Sequence, residues 1–159
     1  MTFSTRLVLL VKLVLAGLAA LLLLLMVMSI PGQFAHLAEE EPDLAYLRWP
    51  LTAFFELELL CVQVVIACTW RLLTLVAGDR IFSEDSLRWV DVILGALATA
   101  WTAFLGLTIY AMTKADDPGT PILLIVLLGV GAAGCLLVLV LRELLRQATS
   151  LRTELETVI

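Results

Sequence analysis

Four apolar runs, each about long enough to cross a lipid bilayer, constrain this chain more than any other feature. Leu13 to Ile30 holds 18 residues without a charge and Val92 to Met112 holds 21. Leu51 to Val76 is interrupted by Glu56, Glu58 and Gln63, with Leu59 to Trp70 otherwise apolar, and Pro121 to Leu141 carries no charge. A bilayer core about 30 Å thick asks for roughly 20 such residues in a helix. Hydrocarbon offers no partners for backbone N–H and C=O groups, so a spanning segment must be a helix or part of a closed barrel. These runs are twice the length of a barrel strand, and the fold class they predict is all-α, an integral membrane bundle of four transmembrane helices. With 62% hydrophobic residues, 16% charged residues and a mean hydropathy of +1.05, the chain also lies outside the range of soluble domains.

The boundaries of the runs place the spans at about 8–30, 51–76, 87–112 and 121–141, a four-helix transmembrane domain over 1–141. Arg6 and Lys12 precede the first run and Pro31-Gly32 is expected to close it. A cleaved leader would carry a shorter apolar stretch and a small-x-small site, which His36 before Ala38 does not supply. Pro50 and Pro121 each open a segment, as proline in a first helical turn can. Gly78 stops the second helix, and Ser83-Glu84-Asp85 reads as an N-cap and two dipole-opposing acids, with Phe82 able to staple onto Leu87.

Sidedness follows from the basic residues. If the helices alternate, Arg6, Lys12, Arg71, Arg80, Arg88, Arg142, Arg146 and Arg152 share one face, against Arg48 and Lys114 on the other. Eight against two predicts that both termini are cytoplasmic. Glu39, Glu40, Glu41, Asp43, Asp116 and Asp117 then lie outside. Tyr46, Trp49 and Tyr110 fall near the outer boundary and Trp70 and Trp89 near the inner one, as interfacial aromatics do.

Several function classes find no support. Ten Lys and Arg spread along the chain form no basic stripe, so direct nucleic-acid binding is not expected. Cys61, Cys68 and Cys135 sit in apolar runs without a C-x-x-C pair, and the lone His36 cannot make a metal or haem site, so no cofactor is expected. No nucleophile with a base and no phosphate-cradling loop is present, so the chain is not expected to be an enzyme.

The candidate intramembrane polar residues are Glu56, Glu58, Gln63 and Asp91, because acids within a span are costly and turn toward a bundle interior or water. Glu56 and Gln63 share a face, whereas Glu58 lies about 200° from Glu56 at 100° per residue, so the two acids are not a dyad. The structural alternative is that one of Glu56 and Glu58 is neutral or paired with Arg48 or Lys114 and the other reaches headgroup water, and Arg88 or Arg71 is the expected partner of Asp91. Gly95, Thr99 and Ala103, Gly129 with Ala133, and Gly131 with Cys135 mark small-residue contact faces, used either within the bundle or between copies in a homo-oligomer.

Residues 142–159 read as a cytoplasmic amphipathic tail. Leu141, Leu144, Ala148, Leu151, Leu155 and Val158 alternate spacings of three and four, a short heptad seam. Leu144, Leu151, Leu155 and Val158 are the candidate partner-binding residues, with docking of the tail on the cytoplasmic loop or membrane surface as the alternative.

The stretch Arg48-Trp49-Pro50, then Val62 to Leu73, then Gly78-Asp79-Arg80-Ile81-Phe82-Ser83 through Asp91 resembles the bacterial family known as domain of unknown function 2975. Its members are small four-helix membrane proteins, and the short G-x-x-I-F-S turn is the distinctive part. The resemblance implies residence in a bacterial cytoplasmic (inner) membrane. Through the family's gene neighbours it also implies a cytoplasmic helix-turn-helix regulator as partner, and it supplies no catalytic residues. Beyond the lipid bilayer itself, two roles follow. One is a non-enzymatic regulatory or interaction protein contacting a cytoplasmic partner; the other is a small oligomeric transporter or channel using Glu56 or Glu58 as a proton or cation site.

Overall fold

The computed structural model describes residues 3–40, 42–78, 80–114 and 118–157, and all the regular structure among them is helical. Helix α1 (Phe3–Leu24) leads through a π-helical turn (Leu25–Ser29) into α2 (Ile30–Glu40), and a 3-10 turn (Pro42–Leu47) leads into α3 (Arg48–Ala77). Helices α4 (Glu84–Lys114) and α5 (Gly119–Thr157) complete the chain. Four stretches, Arg6–Leu37, Ala45–Ala77, Glu84–Lys114 and Gly119–Leu155, are long and apolar enough to cross a membrane. Contacts divide the chain into two compact units, Met1–Leu73 and Thr74–Ile159.

Pro31 does not close the first helix as expected; α2 runs on to Glu40. The π-helical turn just before it supplies the reason. Proline has no N–H to donate, and its ring clashes with the carbonyl four residues back in a regular α-helix. In the wider turn Ile30 N–H reaches back five residues to the Leu25 carbonyl, so the helix is already expanded where the proline enters.

In the first unit α1 and α3 run antiparallel, since Ala19 meets Gln63 and Lys12 meets Trp70. The Gln63 side-chain amide donates to the Ala19 carbonyl at 2.9 Å. In lipid such a bond between helices contributes about 0.6 to 2 kcal/mol. Phe34 on α2 stacks on Phe55 of α3 with ring centroids 5.4 Å apart, and Phe54 meets Phe55 edge-on.

In the second unit α4 and α5 pack as an antiparallel hairpin. The Trp101 indole N–H donates to the Leu128 carbonyl at 3.0 Å. Its ring lies over Gly131, where an added Cβ would come within 3.0 Å of Trp101 Cδ1. Of the expected small-residue faces, Gly131 therefore serves the hairpin, whereas Gly95 and Gly129 would meet nothing within 4 Å.

Side-chain burial runs opposite to that of a soluble protein. Only Ile30, Cys61, Ile66 and Cys68 among the described apolar residues are buried, and long rows of leucine and valine on α1 and α5 face outward. Water would not tolerate so much contiguous apolar surface; lipid does.

Candidate functional site

The turn before α4 is built by two serines. Ser83 stands at the helix start as expected, but its hydroxyl donates back to the Arg80 carbonyl at 2.8 Å. Ser86, which the sequence did not single out, is fully buried, and its hydroxyl lies within bonding distance of the Ile81 carbonyl and of the Ser83 carbonyl at 2.7 Å. The last serine of the I-F-S run and the one three residues later thus knit the turn to the helix. Arg80 lies 3.9 Å from Asp85 across its exposed side.

Asp91 faces α5. Its carboxylate accepts from Arg142 Nε and, at 3.2 Å, from Arg142 Nη2, a two-pronged pairing between helices. Neither Arg88 nor Arg71, the expected partners, forms this pair. Asp91 lies as far before Asp116 in the sequence as Arg142 lies after Asp117, and an antiparallel hairpin brings such positions level. Applying that reflection to the sequence would have found Arg142. Asp91→Arg is therefore expected to loosen the hairpin, and adding Arg142→Asp should recover most of the loss, because a reversed pair keeps the geometry. Unfolding of both variants in detergent checks this, and a double variant no better than the single one would deny the pairing.

The other candidates scatter. Gln63 is committed to the Ala19 carbonyl. Glu56 and Glu58 are both half-buried on α3. Glu58 Oε1 is fully enclosed and takes no hydrogen bond among the described residues. Arg48, proposed above as a partner for these acids, stacks over Trp49 at 5.2 Å. His36 lies on α2 and approaches Glu40 at 3.2 Å in an exposed pair. The four polar residues thus do not converge on one site, and no group of three His, Cys, Asp or Glu is placed to hold a metal ion among the described residues.

The tail is not a separate element but the continuation of α5, unbroken to Thr157. At 39 residues α5 is roughly 58 Å long at 1.5 Å per residue, nearly twice the bilayer core. Leu141, Leu144, Ala148, Leu151 and Leu155 fall within an arc of roughly 80° at 100° per residue. Arg142, Thr149 and Thr153 lie on roughly the opposite side. That polar side is the one turned to α4: Arg146, Thr149, Ser150, Thr153 and Glu154 form a shallow groove with Glu84 and Leu87, and Thr149 is buried. Leu144, Leu151 and Leu155 are 56%, 61% and 69% exposed, so the leucine stripe points away from the hairpin. Val158 lies outside the described residues.

An all-helical chain with four bilayer-length helices, apolar surface outward and polar pairs between helices is a multi-pass membrane protein. It belongs to the family described as "Protein of unknown function (DUF2975)", whose model matches residues 32–159. No curated protein and no solved structure matches the chain.

Proposed function

We propose that the protein is a non-enzymatic regulatory or interaction protein of the bacterial cytoplasmic membrane, with both ends in the cytoplasm and the C-terminal part of α5 as its contact surface. The observation that carries this reading is the leucine stripe. It lies on the stretch of α5 that outruns the bilayer core, and it is turned away from α4, against which α5 packs. A helix docked only for its own stability would bury its apolar side and leave its arginines in water. A cytoplasmic helix-turn-helix regulator, which the family resemblance implies, and a second copy of the chain are the partners this surface suits.

Sidedness is supported by the eight-to-two distribution of Lys and Arg. Single cysteines at Glu41 and Asp117 are expected to react with an impermeant thiol reagent in intact cells, and those at Asp79 and Thr153 are not. Each is read against the chain carrying only its native cysteines. Labelling at Thr153 in sealed cells would put the tail outside and end this reading.

A transporter role has one observation in its favour, Glu58 Oε1 in a spanning helix, enclosed and without a hydrogen bond among the described residues. Its test is pH-driven cation uptake into liposomes that Glu58→Gln abolishes.

A further inference from the structure

The geometry points to a site for one anionic phospholipid between α1 and α3, its acyl chain lying in an apolar cleft and its phosphate held by Lys12 and Arg71 at the bilayer boundary. This inference does not rest on the reading of the tail.

The cleft has a volume of about 400 Å³. Its walls are Leu15, Ala16 and Ala19 of α1 and Ile66 and Ala67 of α3, and Gln63, bonded to the Ala19 carbonyl, ties the helices together at one end. At the other end stand Trp70 and Arg71, and Lys12 Nζ lies 5.4 Å from the Trp70 ring centroid. A volume of this size is in the range of small-molecule sites. Three alanines make the cleft, since larger side chains at Ala16, Ala19 and Ala67 would fill it.

The position of the cleft selects the occupant. Both walls belong to helices long and apolar enough to cross a bilayer, which puts the cleft at the depth of lipid acyl chains. Lys12 directly precedes the uncharged run of α1 and Arg71 directly follows that of α3. The antiparallel packing thus brings both cations to the level where phosphates lie. Helix α1 contains no acidic residue, and the acids of α3, Glu56 and Glu58, are roughly 20 Å from Arg71 at 1.5 Å per residue. Lys12 and Arg71 give this end of the two helices the basic side chains that pockets for anionic headgroups between spanning helices use. Trp70 supplies the amphipathic ring that sits at headgroup depth.

The test is native mass spectrometry of the full chain released from detergent with phosphatidylglycerol or phosphatidylcholine of the same acyl chains. The wild type is expected to retain one phosphatidylglycerol in preference to phosphatidylcholine by about thirtyfold, the preference expected from two interfacial cations. Lys12→Gln with Arg71→Gln should erase the preference. Ala67→Phe, or Ala16→Phe should that variant not fold, should reduce retention of both lipids by filling the cleft. Inorganic phosphate should displace neither, because the acyl chain supplies part of the affinity. Equal retention of the two lipids by the wild type, undiminished retention in a folded cleft-filling variant, a chain dimer in place of the lipid adduct, or displacement by inorganic phosphate would each overturn the assignment.

Discussion

Replacing Leu151 and Leu155 together by aspartate is expected to abolish capture of the cytoplasmic partner, or self-association, while the four helices remain inserted. The two side chains are 61% and 69% exposed in the isolated chain, so the substitution removes no internal packing of the hairpin. Against a partner helix each well-packed leucine would contribute roughly 1.5 to 3 kcal/mol. Losing both therefore costs about 3 to 6 kcal/mol, a hundredfold or more in affinity. The comparison is copurification from native membranes, wild type against double variant, with insertion checked by protease accessibility. The same partners recovered with both proteins would reduce the stripe to a helix face that rests on the membrane surface.

The second large effect is expected at Gly131. A Cβ there would already stand 3.0 Å from Trp101 Cδ1, so alanine asks the indole to yield a few tenths of an ångström. Valine adds two methyl groups at the same place. The ring cannot swing clear and keep its hydrogen bond to the Leu128 carbonyl. Overpacking of this kind costs about 1 to 3 kcal/mol, and the lost interhelical bond adds about 1 kcal/mol. Gly129→Val is the matched control, since a Cβ at Gly129 meets nothing within 4 Å. It should change stability by about 0.5 kcal/mol or less. Unfolding of the purified variants, followed by tryptophan fluorescence, separates the two; equal losses would mean that the Trp101 contact does not matter.

The four spans were legible because bilayer length and absence of charge are properties of a run of sequence, independent of what the run touches. Pro31 was misread as a stop for the opposite reason. Whether a proline ends a helix depends on the turn before it, and a π-helical turn leaves no mark in the apolar run Leu25 to Ile30. Asp91 was legible as a residue that needs a partner, yet local spacing pointed to Arg88, and only the pairing of whole helices brings in Arg142. Gln63 likewise looked like a member of a polar site with Glu56, although a single main-chain carbonyl on α1 accounts for it. The leucine seam of the tail was visible as a face. Which side of that helix would meet α4 was not, because the direction is set by the Asp91–Arg142 pair and the burial of Thr149 rather than by the leucines themselves.

The claim that the leucine stripe is a contact surface can be measured at the residue itself. A photoreactive side chain is placed at Leu151, at Leu155 or, as a control on another side of α5, at Ser150, and native membranes are irradiated. The account predicts a heavier adduct from Leu151 and Leu155 but not from Ser150, its mass distinguishing a regulator from a second copy of the chain. Absence of any adduct from the two leucine positions, or the same adduct from all three, would contradict it.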